Sequence, residues 1–354
     1  NAFVPVIMTA AHIRRSMVNK ARNCGANYIV TKPFSASSLL ERIVWVARDS
    51  RPFLEVGGAG FCHSDLLVFD GEVRILPHMP VTLGHENAGI VSAVGPGVTR
   101  VREGDAVAVF GGWGCGHCDY CVGGHEQLCV APVWAGLSKY DGGYAEYLMV
   151  PHERYLVPLT KLKPRDAAPL TDAALTPYRA IRKALPFLEP DYYALLIGLG
   201  GLGQYGLKLL RLLSGAPVIV VDVSDDKLKL ARELGAAHTF NGKDPKLLDA
   251  VMDLTGGRGV SAAFDFVGAE STLSLAVSAT RTLGKVSHIG LAGGAARMKV
   301  LENTRFEVLF EATLWGTIKE LREVIALAES GALTPIPTEF APLEAVNDVY
   351  RRLK

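Results

Sequence analysis

The chain of 354 residues has an ordinary globular composition, with 49% hydrophobic and 21% charged residues, and is long enough for two or three compact units. Its formal net charge of +1 gives no electrostatic basis for binding nucleic acid or an acidic membrane surface. It also has neither an apolar run long enough to cross a bilayer nor a recognisable signal peptide, so we expect a cytoplasmic protein without membrane or nucleic-acid partners.

Residues 1–50 alternate strand and helix patterns and resemble the second half of a response-regulator receiver domain, which has a flavodoxin-like fold. The matching features are Thr9-Ala10 at the end of the first strand, the Gly25-Ala26 turn, and Lys32-Pro33-Phe34 after the second strand. The resemblance implies that Thr9 and Lys32 would help to sense a phosphorylated aspartate. The half that would supply this aspartate is absent from the sequence, so we expect no phosphorelay. A generic alternating segment is the alternative.

The pattern changes near residue 51 and again near residue 174. Short apolar runs such as Ala106–Val109 alternate with turn pairs such as Pro96-Gly97, which predicts a small barrel of short strands. From Ala174 onward, strands alternate with amphipathic helices, as in a parallel sheet covered by helices. The sequence therefore predicts an α/β chain with a β-barrel followed by a parallel sheet.

The most specific local pattern is a cluster of four of the six cysteines within fifteen residues. Cys115, Cys118, Cys121 and Cys129 follow the spacing Cys-x2-Cys-x2-Cys-x7-Cys. Four thiolates on one tight lobe can surround zinc completely, which is typical of a structural site. Four unrelated buried thiols are one alternative. A nucleic-acid-binding ribbon is another, although Asp119 and Glu126 are the nearby charges and no basic patch accompanies them.

Three separate segments offer a second set of metal ligands. Cys62 opens Cys62-His63-Ser64-Asp65, His85 lies in Gly84-His85-Glu86, and Asp172 lies in Leu170-Thr171-Asp172-Ala173. Each segment alone is a weak signal, because a single Cys or His usually belongs to a core and Asp172 could cap a helix.

A glycine-rich turn indicates a dinucleotide site. The strand pattern Tyr193–Ile197 runs into Gly198-Leu199-Gly200-Gly201-Leu202-Gly203 and then into a leucine-rich helix. Such glycines let backbone amides approach a pyrophosphate at the start of a helix. The next strand ends at Asp222, nineteen residues after Gly203, where a carboxylate would bind the ribose hydroxyls of NAD and repel the 2′-phosphate of NADP. A turn that merely packs a helix on a strand is the alternative.

Taken together, Cys62, His85, Asp172, the four-cysteine cluster and the glycine-rich turn resemble the zinc-dependent medium-chain alcohol dehydrogenases, from about Gly57 to Lys354. The resemblance implies a GroES-like β-barrel catalytic domain over residues 51–173 and a Rossmann, doubly wound NAD-binding domain over residues 174–317. Residues 318–354 would return to the catalytic domain. Relative to the family, we expect this chain to lack the first barrel strands and to stop early at its C-terminus.

The resemblance also implies the roles of individual residues. Cys62, His85 and Asp172 would bind a catalytic zinc, with Glu86 as a neighbouring transient ligand, and Cys115, Cys118, Cys121 and Cys129 would bind a structural zinc. Ser64 would accept the alcohol proton. Gly198, Gly200, Gly201, Leu202, Gly203, Asp222 and Lys227 would bind NAD. The implied reaction is oxidation of primary or secondary alcohols to aldehydes or ketones, with hydride transfer to NAD, in a homodimer or homotetramer.

Two features depart from the family or stay open. In several relatives a histidine lies three residues after the hydroxyl that accepts the alcohol proton, whereas this chain has Leu67 there. Trp113, Trp134 and Trp315 could form the apolar walls of a substrate pocket or could be core residues. Three other functions compete with the dehydrogenase: a zinc-free quinone reductase, a receiver-regulated signalling protein that binds a cofactor, and an inactive partial chain.

Overall fold

The computed structural model describes residues 6–10, 26–31, 35–37, 40, 51–71, 81–138, 140–295 and 305–353. Near the N-terminus, strands β1 (Val6–Ala10) and β2 (Ala26–Thr31) pair in parallel and form a two-stranded sheet of their own. The helix predicted between these strands, and Lys32, lie outside the described residues, whereas Ala36, Ser37 and Leu40 of the helix predicted after β2 are described and helical.

A second sheet contains five antiparallel strands in the order β6-β3-β4-β5-β7. The strands are β3 (Phe53–Gly60), β4 (Glu86–Ala93), β5 (Ala106–Val109), β6 (Tyr147–Met149) and β7 (Leu156–Pro158). Within the described residues the order ends at β6 and β7. Gly89 permits the close pairing of β3 and β4, because a Cβ atom there would lie 2.2 Å from the carbonyl oxygen of Glu55.

Short helices and turns connect these strands, and several of the predicted metal ligands lie at their ends. The helices are α1 (His63–Phe69), α2 (Asp119–Val122) and α3 (Pro164–Ala167), with 3-10 turns at Glu126–Leu128, Glu153–Tyr155 and Ala168–Thr171. The longer helix α4 (Leu175–Ala184) and a 3-10 turn at Leu185–Phe187 then lead into the third sheet.

The third sheet contains six parallel strands in the order β10-β9-β8-β11-β12-β13. The strands are β8 (Ala194–Ile197), β9 (Val218–Asp222), β10 (His238–Asn241), β11 (Val260–Asp265), β12 (Thr280–His288) and β13 (Leu309–Ala312). The helices between the strands are α5 (Gly201–Leu213), α6 (Asp225–Glu233), α7 (Leu247–Leu254) and α8 (Glu270–Ala279). All residues of the central strands β8, β9 and β11 are buried, as expected for a parallel sheet with both faces covered.

The strand order reverses beside β8, which is the first strand of this sheet in the chain. Ligands of doubly wound sheets bind in the crevice outside the carboxyl ends of the strands at such a reversal. The fold therefore places a binding crevice at the end of β8, where the glycine-rich turn begins. The predicted α/β fold class is confirmed.

After β13 the chain forms α9 (Ile318–Glu329), a 3-10 turn at Leu343–Ala345 and the C-terminal helix α10 (Val346–Leu353). One continuous core cluster includes residues of both large sheets, among them Leu54 of β3 and Leu196 of β8, together with Trp113 and with Leu321 of α9. No helix among the described residues is both long enough and apolar enough to cross a membrane.

Candidate active site

The three predicted ligands of the second metal set converge although 110 residues separate the first from the last. Cys62 directly precedes α1, His85 directly precedes β4, and Asp172 follows the 3-10 turn Ala168–Thr171. One ligand atom from each of these residues and from Glu86 lies within 4.8 Å of the others. The fold thus brings a thiol, an imidazole and two carboxyl groups to one point.

The spacing of these donors fits a zinc ion. His85 Nε2 lies 3.2 Å from Asp172 Oδ2. Nitrogen and oxygen ligands of tetrahedral zinc lie about 2.0–2.1 Å from the ion and so about 3.3 Å from each other. A mixed sulfur, nitrogen and oxygen donor set is also the chemistry that zinc accepts in proteins.

Asp65 contacts one ring nitrogen of His85, while Asp172 contacts the other. Tyr144 in turn contacts Asp65. His85 Nδ1 lies 3.2 Å from Asp65 Oδ1, and the fully buried Asp65 carboxylate also accepts hydrogen bonds from the backbone N–H of Cys62 and Gly84. The Tyr144 hydroxyl lies 2.8 Å from Asp65 Oδ2. Such partners fix the ring orientation of a metal-binding histidine.

The electrostatics of the site are those of a buried anionic cluster. Burial, with Asp172 as the next cause, raises the pKa of the Glu86 carboxyl well above its usual range. Burial also raises the pKa of the Cys62 thiol. Burial opposes ionisation of Asp65 as well, but His85 and the surrounding hydrogen bonds lower the pKa of that carboxyl. A cation at the centre would stabilise the ionised forms of these groups, so metal binding would release protons.

Asp172 does not cap α4. Its backbone carbonyl accepts the N–H of Thr176, while its Oδ1 accepts the Thr176 hydroxyl at 2.5 Å. The Oδ2 atom is therefore the one directed at His85. The position is 8% exposed, which leaves little water to solvate an unpaired carboxylate.

Ser64 and Leu67 both lie beside this cluster. Ser64 Oγ is 3.6 Å from Cys62 Sγ, and both Ser64 and Leu67 line the cavity in front of the donors. The hydroxyl predicted to accept a proton is thus in reach of the metal donors. No imidazole occupies the position of Leu67.

The four clustered cysteines form a separate lobe around the short helix α2. Their sulfur atoms lie within 4.8 Å of one another, with Cys115 and Cys121 at 4.0 Å and Cys118 and Cys129 at 3.8 Å. Zinc–sulfur bonds of about 2.3 Å in a tetrahedron separate sulfur atoms by about 3.8 Å, so the lobe fits a four-thiolate zinc site. Backbone hydrogen bonds, first that of Cys121, lower the pKa of the Cys118 thiol to about 6. Burial raises the pKa of Cys121 to about 12.

The glycine-rich turn links the end of β8 to the start of α5, and two of its glycines have different surroundings. A Cβ atom on Gly203 would lie 1.9 Å from the carbonyl oxygen of Gly198, so the turn itself requires glycine there. A Cβ atom on Gly200 would meet no heavy atom within 4 Å. The space next to Gly200 therefore faces the crevice and can admit a phosphate group close to the backbone.

Asp222 lies at the end of β9 and is bound to the glycine-rich turn. Its Oδ2 accepts the N–H of Leu199 at 2.7 Å, and its Oδ1 accepts the N–H of Ser224 at 3.0 Å. Lys227 Nζ lies 4.0 Å from Oδ2. Each carboxylate oxygen keeps a second lone pair for a ribose hydroxyl.

One cavity of 1180 Å³ joins the metal donors to the glycine-rich turn. Its lining includes Cys62, His85, Asp172, Gly200 and Asp222. Two of the three candidate tryptophans, Trp134 and Trp315, are also on its wall. Trp113 is not a wall residue, because it is completely buried in the core beside Tyr140 and Tyr155.

Sequence reasoning missed three residues that support the metal donors, namely Asp65, Tyr144 and Thr176. Asp65 lies three residues after Cys62 on the first turn of α1, so its spacing from a ligand offered a signal. Tyr144 is distant in sequence from every ligand and offered none.

Comparison with known proteins agrees with this arrangement. Residues 51–161 match the family model of the alcohol dehydrogenase GroES-like domain, and residues 201–330 match that of the zinc-binding dehydrogenases. An NAD-dependent alcohol dehydrogenase of Sulfurisphaera tokodaii is 36% identical over 315 residues, which cover 87% of this chain and 90% of the relative. The chain belongs to the zinc-dependent medium-chain alcohol dehydrogenase family.

Other members of the family differ in the function that their names state. An alcohol dehydrogenase structure from Aeropyrum pernix matches with a TM-score of 0.80 and 36% identity, covering 86% of this chain and 89% of that one. The D-arabinose 1-dehydrogenase (NADP(+)) of Saccharolobus solfataricus is 33% identical, covering 85% of this chain and 86% of the relative. Family membership alone therefore determines neither the substrate nor the choice between NAD and NADP, which depend on individual residues.

Proposed function

We propose that this chain is an NAD-dependent alcohol dehydrogenase that oxidises primary or secondary alcohols to aldehydes or ketones and catalyses the reverse reduction. The observation that carries the proposal is the single cavity in which four metal donors and a dinucleotide-type glycine turn face each other. Its relatives named as NAD-dependent alcohol dehydrogenases at 36–37% identity support the same reaction.

In this proposal Cys62, His85 and Asp172 hold the catalytic zinc and Glu86 is a neighbouring carboxyl that can approach it. Cys115, Cys118, Cys121 and Cys129 hold a structural zinc. When bound, zinc supplies Lewis acidity toward the substrate oxygen, and NAD supplies the hydride acceptor. Asp65 occupies the Nδ1 side of His85, so that Nε2, on the side of Asp172, is the nitrogen that would bind the metal.

The cofactor residues act by backbone geometry and charge. The turn from Gly198 to Gly203, including Gly200, Gly201 and Leu202, offers N–H groups to the pyrophosphate at the start of α5. Asp222 accepts the ribose hydroxyls with Lys227 beside it. A 2′-phosphate would lie against this carboxylate, so the site discriminates against NADP.

Ser64 accepts the hydrogen bond of the substrate hydroxyl at Oγ and, as it takes up that proton, releases its own hydroxyl proton. The next residue toward solvent in several relatives is a histidine, and Leu67 cannot carry a proton onward. The proton therefore leaves Ser64 by the cavity itself, which His63 also lines.

The walls near the metal donors favour an apolar substrate over a sugar. Phe61, Leu67, Leu137, Trp134 and Trp315 surround the donors on the catalytic side. An alkyl or aryl group gains from contact with such side chains, whereas the hydroxyl groups of a pentose would lose water without new partners.

The proposal is tested with Asp172→Asn, because this substitution keeps the shape of the side chain and removes the charge of the third ligand. We expect the parent to hold about two zinc ions per chain and the variant about one, with alcohol-dependent reduction of NAD lowered by more than about 100-fold. Asp191→Asn, at an exposed position, is the control and should match the parent. A parent that binds both zinc ions and NAD but oxidises no alcohol in a panel of aliphatic, aromatic and sugar substrates would contradict the proposal.

We also propose an assembly state and a cellular compartment. The edge strand β13 exposes Leu309 and Phe310, which supports self-association through this edge to a dimer or tetramer. The five described cysteines form no disulfide, which supports a reducing compartment such as the cytoplasm. Light scattering on purified protein tests the first property.

We also keep the domain division at residues 51–173, 174–317 and 318–354 as a proposal, together with the receiver-like nature of residues 1–50. Of the segment's predicted features, the structure describes the two strands β1 and β2, which pair in parallel. The matched family models begin only at residue 51.

A further inference from the structure

Trp315 connects the parallel sheet to the metal donors. It lies three residues after β13 ends and is only 4% exposed. Its indole Nε1 donates a hydrogen bond to the backbone carbonyl of Thr171 at 2.9 Å. That carbonyl belongs to the last residue of a 3-10 turn, where carbonyl groups have no partner within the helix, and the next residue is Asp172.

The other side of the indole packs on His85. The two ring centroids are 5.5 Å apart and the rings are nearly perpendicular, at 85°. Gly111 makes room for this packing, because a Cβ atom there would lie 2.8 Å from a ring carbon of Trp315. A single side chain thus contacts one metal donor directly and the segment of another through its backbone.

The backbone at Trp315 has an unusual conformation. Its φ is +48°, in the left-handed region that a bulky side chain rarely adopts. Such conformations persist only where the surroundings determine them. The next residue is Gly316, and a Cβ atom there would lie 2.5 Å from the side chain of Leu175, the first residue of α4. The loop therefore contacts Thr171, which directly precedes Asp172, and Leu175, which follows it three residues later.

We propose that Trp315 is a positioning residue, which holds Asp172 through the Thr171 carbonyl and His85 through ring packing so that both donors face one metal ion. This inference rests on the proposed catalytic metal site. It means that the loop after β13, which borders the cofactor crevice, also sets the geometry of the metal site on the other domain.

The test compares Trp315→Phe with Trp113→Phe in the full-length chain. Both substitutions remove one indole N–H from a buried ring, but the Trp113 Nε1 has no hydrogen-bond partner among the described residues. We expect Trp315→Phe to release its catalytic-site metal to a chelator at least about tenfold faster than the parent, whereas Trp113→Phe matches the parent. With cobalt(II) in the site, the visible absorption of Trp315→Phe should change because the ligand geometry changes.

The metal in the four-cysteine lobe reports whether each variant is folded, because the ring contacts of Trp315 are with His85, Phe110 and Trp134 and its hydrogen bond is to Thr171. A second variant, Gly316→Ala, keeps the indole but crowds Leu175, and it should speed release in the same direction. Equal release rates and cobalt spectra in Trp315→Phe and the parent would overturn the positioning role, as would an unchanged rate in Gly316→Ala. A parent that binds metal only in the four-cysteine lobe would instead overturn the proposed function itself.

Discussion

Asp222 has two tasks that its position in sequence suggests only in part. Its carboxylate is placed for a ribose, and it also binds the backbone N–H of the completely buried Leu199 at 2.7 Å. A buried N–H that loses its only acceptor costs about 1–3 kcal/mol. The residue that we propose selects the cofactor is therefore also part of the scaffold that shapes the glycine-rich turn.

These two tasks can be separated with Asp222→Asn and Asp222→Ala. The amide oxygen of asparagine can still accept the Leu199 N–H, so Asp222→Asn should lower the preference for NAD over NADP by at least about tenfold, or about 1.4 kcal/mol, without loss of thermal stability. Asp222→Ala should weaken binding of both cofactors and lower the unfolding temperature. Titration of each cofactor by nicotinamide fluorescence measures the preference. Equal effects of the two variants on stability would contradict the scaffold role.

At the scale of elements, Gly203 and Gly200 in the turn between β8 and α5 differ in whether a side chain would fit. Gly203→Ala would place a Cβ atom 1.9 Å from the Gly198 carbonyl oxygen, so we expect the unfolding temperature to fall by about 4 °C or more. Gly200→Ala has free space around it and an ordinary backbone conformation. It should keep the stability of the parent and raise the dissociation constant for NAD by at least about tenfold, because the added methyl group occupies the approach to the pyrophosphate. Thermal unfolding with and without NAD distinguishes the two, and a destabilised Gly200→Ala would show that this side of the turn is not open.

Helix α9 is attached to the end of β7 through one carboxylate. Glu329 accepts hydrogen bonds from the backbone N–H groups of Thr160, Lys161 and Leu162 and from the Thr160 hydroxyl. Partial burial acts against ionisation, but these donors, first the Lys161 N–H, lower the pKa of Glu329 from 4.5 to about 2. A carboxyl whose pKa is lower in the folded chain stabilises the fold above its unfolded pKa and loses this effect as the pH falls through its folded pKa.

Glu329→Gln should therefore unfold at a lower temperature than the parent at neutral pH. The difference should shrink as the pH falls from about 4.5 toward 2, the window between the unfolded and folded pKa values. Glu233→Gln, at an exposed position of α6, is the matched control and should follow the parent at every pH. A difference between Glu329→Gln and the parent that stays constant over this window would show that the charge does not matter.

The sequence predicted these elements better than it predicted their contacts. The strands ending at Ile197 and Asp222 and the glycine-rich turn follow from buried apolar runs and local turn chemistry, and they are observed where the pattern puts them. The clustering of the four cysteines was predictable because all four lie within fifteen residues of the sequence. Trp113 and Trp315 could not be distinguished, because which tryptophan faces a cavity depends on the path of distant loops. The positive φ of Trp315 and the Tyr144–Asp65 contact arise from tertiary packing, so no local pattern encodes them.

At the scale of the whole molecule, strands β1 and β2 form a sheet separate from the two larger sheets. These two strands pair only with each other among the described residues, and the matched family begins at residue 51. A variant that starts at Arg51 should keep both metal sites and bind NAD with an affinity within about twofold of the parent, a difference well below 1 kcal/mol. Zinc analysis and NAD titration measure this. Loss of soluble protein or of metal would show that the first 50 residues replace the barrel strands with which the family normally begins.

The separation of the metal ligands along the chain sets an order for their assembly during translation. The four cysteines of the lobe span residues 115–129, so the lobe can acquire its ion as soon as that stretch leaves the ribosome. The proposed catalytic site needs Cys62, His85 and Asp172 to meet, and the indole that contacts His85 and the Thr171 carbonyl is not synthesised until residue 315. On the proposed assignment, the four-cysteine site can therefore be complete well before the catalytic one. Until the catalytic donors meet, the Cys62 thiol would lack the ion that protects it from oxidation and from competing metals.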